Sequence, residues 1–322
     1  MFKILSIDGG GIRGVIPAVL LEHMEQQAGK PISEMFDLIV GTSTGGILAA
    51  GLAVPGKNGK PKYQATDLLA LYADHGSKIF GRSFWDGITS LGGIVDEQYD
   101  AAPLEKLLQE YMGKSTLKDC LTPIVLTSYD IELRQPYFFK TSKAKVSDRN
   151  HYLWHASRAT SAAPTFFEPF LTPSRAQKSS RRVLVDGGVF MNNPSMCAFS
   201  EAAKAGAAME DIIMVSLGTG ANDRKIKYED AVDWGILKWA KPIIDVMMDG
   251  QADAAHYHLS QMFPAKDAKA AQRYFRFDTR LDLALDDMDA ANAGNILALK
   301  AEAQQILTTD KAEFKRMIGL IK

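Results

Sequence analysis

Short apolar runs alternate with longer amphipathic segments over the first 220 residues. The run 2–8 (Phe-Lys-Ile-Leu-Ser-Ile-Asp) reads as a strand. Residues 15–27 follow with Val15, Val19, Leu20 and Met24 at helical spacing, and Gly29-Lys30-Pro31 closes that helix. Residues 36–40 end on β-branched Ile39 and Val40 and read as a short buried strand; an apolar helix starts at Gly46. The same patterns predict helices over 66–80, 103–112 and 152–159, and strands over 122–130, 135–140, 183–186 and 211–217. An alanine-rich helix is expected over 201–208. After Ala231 the chain reads mostly helical, including 252–262, with 273–278 as a last strand. Asp286-Asp287-Met288-Asp289 reads as a helix N-cap region rather than a metal site. There is no internal repeat and no low-complexity tract. Strands alternating with helices predict an α/β fold.

Two glycine-rich turns punctuate the first two β-α units. Gly41-Thr42-Ser43-Thr44-Gly45 sits between a strand and a helix, the order a nucleophile elbow requires. The turn is too sharp for side chains on both flanks, hence Gly41 and Gly45. Ser43 is then left at the tip of a strand, beside the free N–H groups and positive dipole end of the next helix. The bland alternative is a Gly/Ser turn between a strand and a packed helix. The first turn, Gly9-Gly10-Gly11-Ile12-Arg13-Gly14, formally fits the dinucleotide fingerprint. That reading needs an acid at the end of the second strand. The strand ends in Gly41-Thr42-Ser43, and Asp37 stands at its start. A glycine-lined backbone beside an exposed serine reads better as an oxyanion hole. Arg13 either steadies that loop or meets an anionic head group, or it is a surface cation.

Strand 183–186 ends in Asp186, followed by Gly187 and Gly188. Asp186, Ser43 and the turn at 9–11 all fall at carboxyl ends of strands, where open α/β sheets bind ligands. A serine-acid-histidine order would need a histidine after Asp186. Only His256 and His258 qualify, and they lie inside a predicted helix. The alternative is a dyad in which Asp186 takes the serine proton directly.

Composition narrows the partners. A net charge of −1 over 322 residues argues against a general nucleic-acid binder. Two cysteines, Cys120 and Cys197, give no disulfide framework and suit a reducing compartment. The start of the chain lacks a signal-peptide layout, and no apolar run approaches the ~20 residues that span a bilayer. The expectation is a cytoplasmic protein that touches a membrane from outside. Length alone would allow two domains, but a single α/β domain over 1–322 is expected, with its motifs in 6–220 and a mostly helical part at 229–322. The stretch 81–94 holds Phe84, Trp85, Ile88 and Leu91, either tucked into the core or in a lid. With the basic loop 172–182 (Arg175, Lys178, Arg181, Arg182) it would form a membrane-facing surface.

Taken together, Ser-Ile-Asp-Gly-Gly-Gly-Ile-Arg-Gly (6–14), Gly-Thr-Ser-Thr-Gly-Gly (41–46), Ala-Thr-Ser-Ala-Ala-Pro-Thr-Phe-Phe (159–167), Asp-Gly-Gly (186–188) and Ser-Leu-Gly-Thr-Gly (216–220) resemble the patatin-like phospholipase family, in a bacterial member. The motifs occur in family order over roughly the first 220 residues. The resemblance implies a three-layer α/β/α sandwich with a mostly parallel central sheet. It implies a Ser43–Asp186 dyad, an oxyanion hole from Gly9, Gly10 and Gly11, and calcium-independent hydrolysis of acyl esters in phospholipids, without cofactor or metal. The membrane surface would be the substrate's home. Some bacterial members look like anti-phage effectors switched on by cyclic nucleotides, so such an activator stays open, as does a homodimer. A nucleotide-binding protein using Gly9–Gly14 is the reading from another class.

Overall fold

The computed structural model describes residues 1–80, 99–147, 149–172, 181–222, 224–239, 242–263 and 273–322. The stretch 81–94, and residues 173–180 of the basic loop, lie outside the described residues, and with them the expected lid and Arg175 and Lys178 of the membrane face; of its other cations, Arg181 pairs with Glu132 at 3.6 Å and Arg182 with Asp130 at 3.5 Å. Among the described residues eight strands form one sheet: β1 (Phe2–Ile7), β2 (Leu38–Gly41), β3 (Ile124–Asp130), β4 (Gln135–Lys140), β5 (Phe170–Thr172), β6 (Arg182–Asp186), β7 (Ile212–Leu217) and β8 (Tyr274–Phe277). Their order is β5-β6-β3-β2-β1-β7-β8, with β4 paired to β3. The central run from β3 to β8 is parallel; β4, β5 and β6 pair antiparallel.

The sheet is buried on both faces because its strands alternate. In β1, Leu5 and Ile7 face one core and Ile4 faces the other. The first core is filled by α1 (Val15–Ala28), α2 (Thr44–Ala53), α3 (Ala65–Phe80), α4 (Ala102–Met112) and α5 (Leu153–Thr160). On the second face, Ile4, Val40 and Met214 pack against α6 (Ser195–Lys204) and α7 (Pro242–Met262). Helices α8 (Ala293–Thr309) and α9 (Lys311–Ile321) complete the first layer. This is the three-layer, mostly parallel α/β/α arrangement expected.

Several boundaries differ from the sequence pattern. Strand β2 begins at Leu38 rather than 36, and the Asp37 carboxylate accepts the Lys3 N–H at 2.7 Å instead. Helix α2 begins at Thr44, directly after Ser43, rather than at Gly46. Helix α6 covers Ser195–Lys204 and stops short of 205–208; Gly206 turns the chain at φ 93°. Helix α7 starts ten residues early, at Pro242, a residue suited to a first helical turn. Asp286–Asp289 is not an N-cap: α8 begins at Ala293, and its cap is Asn292, whose side chain accepts the Asn295 N–H at 2.9 Å.

One topological detail positions the site. Every β3 residue from Val125 to Asp130 pairs with β4 on one edge. Its other edge is shared. Strand β2 pairs parallel to it and stops at Gly41, opposite Leu126. Strand β6 comes antiparallel from the far end and stops at Asp186, opposite Ser128. The carboxyl ends of β2 and β6 therefore meet head-on across Thr127. The two chemical groups meet for this reason, and not because β6 runs with the parallel strands as the edge argument assumed.

Candidate active site

Ser43 occupies a strained turn. Its backbone sits at φ 54°, ψ −123°, between the end of β2 and the first residue of α2. A non-glycine residue held there costs on the order of 1–3 kcal/mol, which surrounding contacts must offset. The Ser43 N–H donates to Thr160 Oγ1 at 2.9 Å, and that hydroxyl donates to the Thr127 carbonyl at 2.5 Å. Thr42 Oγ1 lies 2.7 Å from Thr127 Oγ1. The flanking glycines are required by close approach: a Cβ on Gly41 would strike the Gly45 carbonyl, and one on Gly45 would strike the carbonyls of Ile7 and Asp8. The elbow is thus wedged between β1, β3 and the end of α5.

Asp186 faces it. Its N–H donates to the Ala162 carbonyl at 2.9 Å, so the small-residue motif at 159–167 fixes the end of β6. Its carboxylate accepts the Gly188 N–H at 2.7 Å, and the Ser43 hydroxyl lies beside it. Burial pushes the Asp186 carboxyl up to about 7, against the opposing pull of that hydroxyl and the Gly188 N–H. A cation that would hold it lower is not among the causes of its shift. An isolated buried carboxyl beside a hydroxyl is a base poised near neutrality.

The glycine turn lies against Ser43: a Cβ added to Gly9 would stand 3.2 Å from Ser43 Cβ. The three glycines differ in what their amides do. Gly9 N–H donates to the Asn192 carbonyl at 3.0 Å and is used inside the fold. The amides of Gly10 and Gly11 have no acceptor among the described residues. The hole expected from three glycines is left to these two. Gly11 takes φ 58° and lines the same cavity as Ser43 and Asp186.

Residues far along the chain hold this turn, and no local motif announces them. Thr219 Oγ1 donates to the Gly9 carbonyl at 2.6 Å, and the Met288 carbonyl accepts the Ile12 N–H at 2.9 Å. Below the turn, Arg276 of β8 bridges Asp8 at 2.7 Å and Asp278 at 2.5 Å, and donates to Ser216 Oγ at 2.9 Å. Burial alone would lower the Arg276 pKa, but the two carboxylates outweigh it and raise it, so Arg276 holds its proton. Arg13 is not a surface cation. It is buried, donates to Asn222 Oδ1 at 3.1 Å, and Asn222 in turn donates to Asp249 of α7 at 3.1 Å. It ties the turn to the helix above and is turned away from solvent. Gly14 and Gly187 serve packing: a Cβ at either would collide with Thr44 or Thr127.

Ser43 and Asp186 open into a cavity of about 150 Å³. Ile47, Leu104, Phe166, Phe167, Met248 and Met288 supply its walls, and among the described residues Asp186 is the only charged one lining it. None of the six histidines lines it. His256 bonds the Tyr274 hydroxyl at 3.0 Å, and His258 is exposed. Among the described residues no cluster of His, Cys, Asp or Glu could hold a metal ion, and no helix is long and apolar enough to cross a membrane. The arrangement can bind an apolar acyl chain and bring its carbonyl to an activated hydroxyl.

Comparison with known proteins places these residues in a family. The patatin-like phospholipase model matches residues 5–198. The chain is 33% identical over 336 residues to "Patatin-like protein 2" of Oryza sativa subsp. indica, covering 93% of this chain and 82% of that one. It is 32% identical over 340 residues to "Probable inactive patatin-3-Kuras 1" of Solanum tuberosum, covering 97% and 88%. VipD from Legionella pneumophila superposes with a TM-score of 0.39 at 12% identity, over 96% of this chain and 67% of that one. One relative carries "inactive" in its name, so the case for activity has to rest on the site residues themselves.

Proposed function

The chain belongs to the patatin-like phospholipase family, and from that premise we propose that it is a calcium-independent serine lipid acyl hydrolase, of phospholipase A type, acting on membrane phospholipids through Ser43 and Asp186. The observation that carries the reading is the Ser43 hydroxyl set beside a buried Asp186 carboxylate in an apolar cavity. In the proposed reaction, Asp186 accepts the hydroxyl proton as Ser43 Oγ attacks the ester carbonyl. The Gly10 and Gly11 amides and the N-terminus of α2 stabilise the oxyanion. Collapse expels the alcohol, which takes the proton back from Asp186. Water then attacks the acyl-enzyme, giving its proton to Asp186, and the fatty acid leaves as Ser43 recovers that proton.

The direct test is incubation with mixed phospholipids, reading free fatty acid against lysolipid. Release of both in equal amounts supports the reading, and their absence under every lipid composition contradicts it. Two further outcomes follow from the site. Below about 7 the Asp186 carboxyl keeps its own proton and cannot accept another. The kcat/KM for a soluble ester is therefore expected to rise with pH and level off above a midpoint near 7; a flat profile between pH 5 and 8 would exclude Asp186 as base. Serine chemistry of this kind needs no Lewis acid, so EDTA should leave the rate unchanged. Loss of activity on chelation, restored by calcium, would contradict that.

A further inference from the structure

Five of the 17 exposed large apolar side chains of the described residues fall within 234–247. Patches of this kind on a water-facing surface mark a binding function. Ile236 and Leu237 are 89% and 93% exposed on the helical turn Ile236–Trp239. Beside them Trp234 and Trp239 meet edge to face, with ring centroids 5.1 Å apart. Helix α7 continues the surface: Ile243, Val246 and Met247, at i, i+3 and i+4, are all exposed.

The same helix also reaches inward. Ile244, Met247 and Met248 line the Ser43 cavity. Met247 belongs to both surfaces, being 52% exposed and part of the cavity wall. The apolar exterior is thereby continuous with the nucleophile's chamber. Charge distinguishes the occupants of such a face. From 234 to 247 the exposed charge among the described residues is Lys238, flanked by Leu237 and Trp239. Asp245 is only half-exposed and contributes to the field at buried Arg13; the exposed acids Glu229, Asp230 and Asp233 precede the patch. Tryptophan with lysine on an apolar surface suits a lipid interface, where the ammonium reaches the headgroups and the rings sit at their level. A second copy seated here would cover Met247, which is part of the chamber's wall.

We propose that residues 234–239 and 242–247 dock on an anionic phospholipid leaflet, and that acyl chains pass along α7 at Met247 into the Ser43 cavity. The proposal rests on the acyl-hydrolase reading above. It places the membrane contact on α7 and the turn before it, and does not depend on 81–94 or 172–182. The test uses the Ile236→Glu/Leu237→Glu double variant; both side chains are exposed and neither lines the cavity. Binding is read by co-sedimentation with vesicles of phosphatidylglycerol and phosphatidylcholine in a Ser43→Ala background, so that no lipid is consumed. Turnover of a short-chain soluble ester is read in the Ser43 background, and oligomeric state by sedimentation velocity. The double variant is expected to bind vesicles on the order of tenfold or more weakly while cleaving the soluble ester at the parental rate. Vesicle binding equal to the parent would overturn the proposal. So would a parental dimer that the variant dissociates with vesicle binding intact, which would make the patch a contact between copies. Equal binding to pure phosphatidylcholine vesicles would overturn the anionic specificity. If the parent cleaves neither lipid nor soluble ester, the acyl-hydrolase reading fails separately, and the binding arm still decides the surface.

Discussion

Replacing Ser43 by Ala is expected to abolish ester hydrolysis and leave the fold intact. The expected loss in kcat is about ten-thousand-fold or more, the scale seen when a serine nucleophile is removed. The fold should survive because the hydroxyl's one described partner is Asp186; the strained backbone is held through the Ser43 N–H, which alanine retains. One corollary separates this variant from a misfolded one. The Ser43 hydroxyl pulls the Asp186 carboxyl down, so without it burial should drive that carboxyl above its present value of about 7. Carboxyl titration by infrared spectroscopy would read the rise. A well-folded Ser43→Ala protein with undiminished turnover would end the account.

The second large effect is at Asp186. Asp186→Asn should cost about a thousand- to ten-thousand-fold in kcat, because an amide cannot accept the serine proton and nothing nearby replaces it. His256→Ala and His258→Ala should keep most of the activity. His256 sits on the Tyr274 hydroxyl at the back of β8, and His258 points to solvent. Steady-state kinetics on a soluble ester checks all three together. A histidine variant as inactive as Asp186→Asn would mean a triad in place of the dyad.

Much of this site is legible in the sequence, for local reasons. An elbow needs an apolar strand, two glycines at a fixed spacing and a small-residue helix, all within fifteen positions of Ser43. Asp186 is visible as the acid that ends a strand before two glycines. The strand set is recovered apart from β5, whose three residues are too few to show a period. What stays hidden depends on approach between distant parts. Strand direction has no local signature, so the head-on meeting of β2 and β6 across Thr127 could not be read. Thr160, Asn192, Thr219, Met288 and Arg276 act by reaching the elbow or the glycine turn from up to 276 positions away. Gly9 looks identical to its neighbours until the Asn192 carbonyl is found on its amide. The early start of α7 is masked because its first turns bear apolar residues on both the outer face and the cavity side, which blurs the helical period.

The central claim is that Ser43 is the nucleophile and Asp186 its base. A fluorophosphonate that acylation-type serine enzymes attack, followed by mass-spectrometric mapping of the adduct, tests it at the atom concerned. The account predicts one adduct, on Ser43, formed at a rate that rises through pH 7, slowed severely in Asp186→Asn and absent in Ser43→Ala. An adduct on any other residue with hydrolysis blocked, or full hydrolysis by a protein that never labels at Ser43, would contradict it.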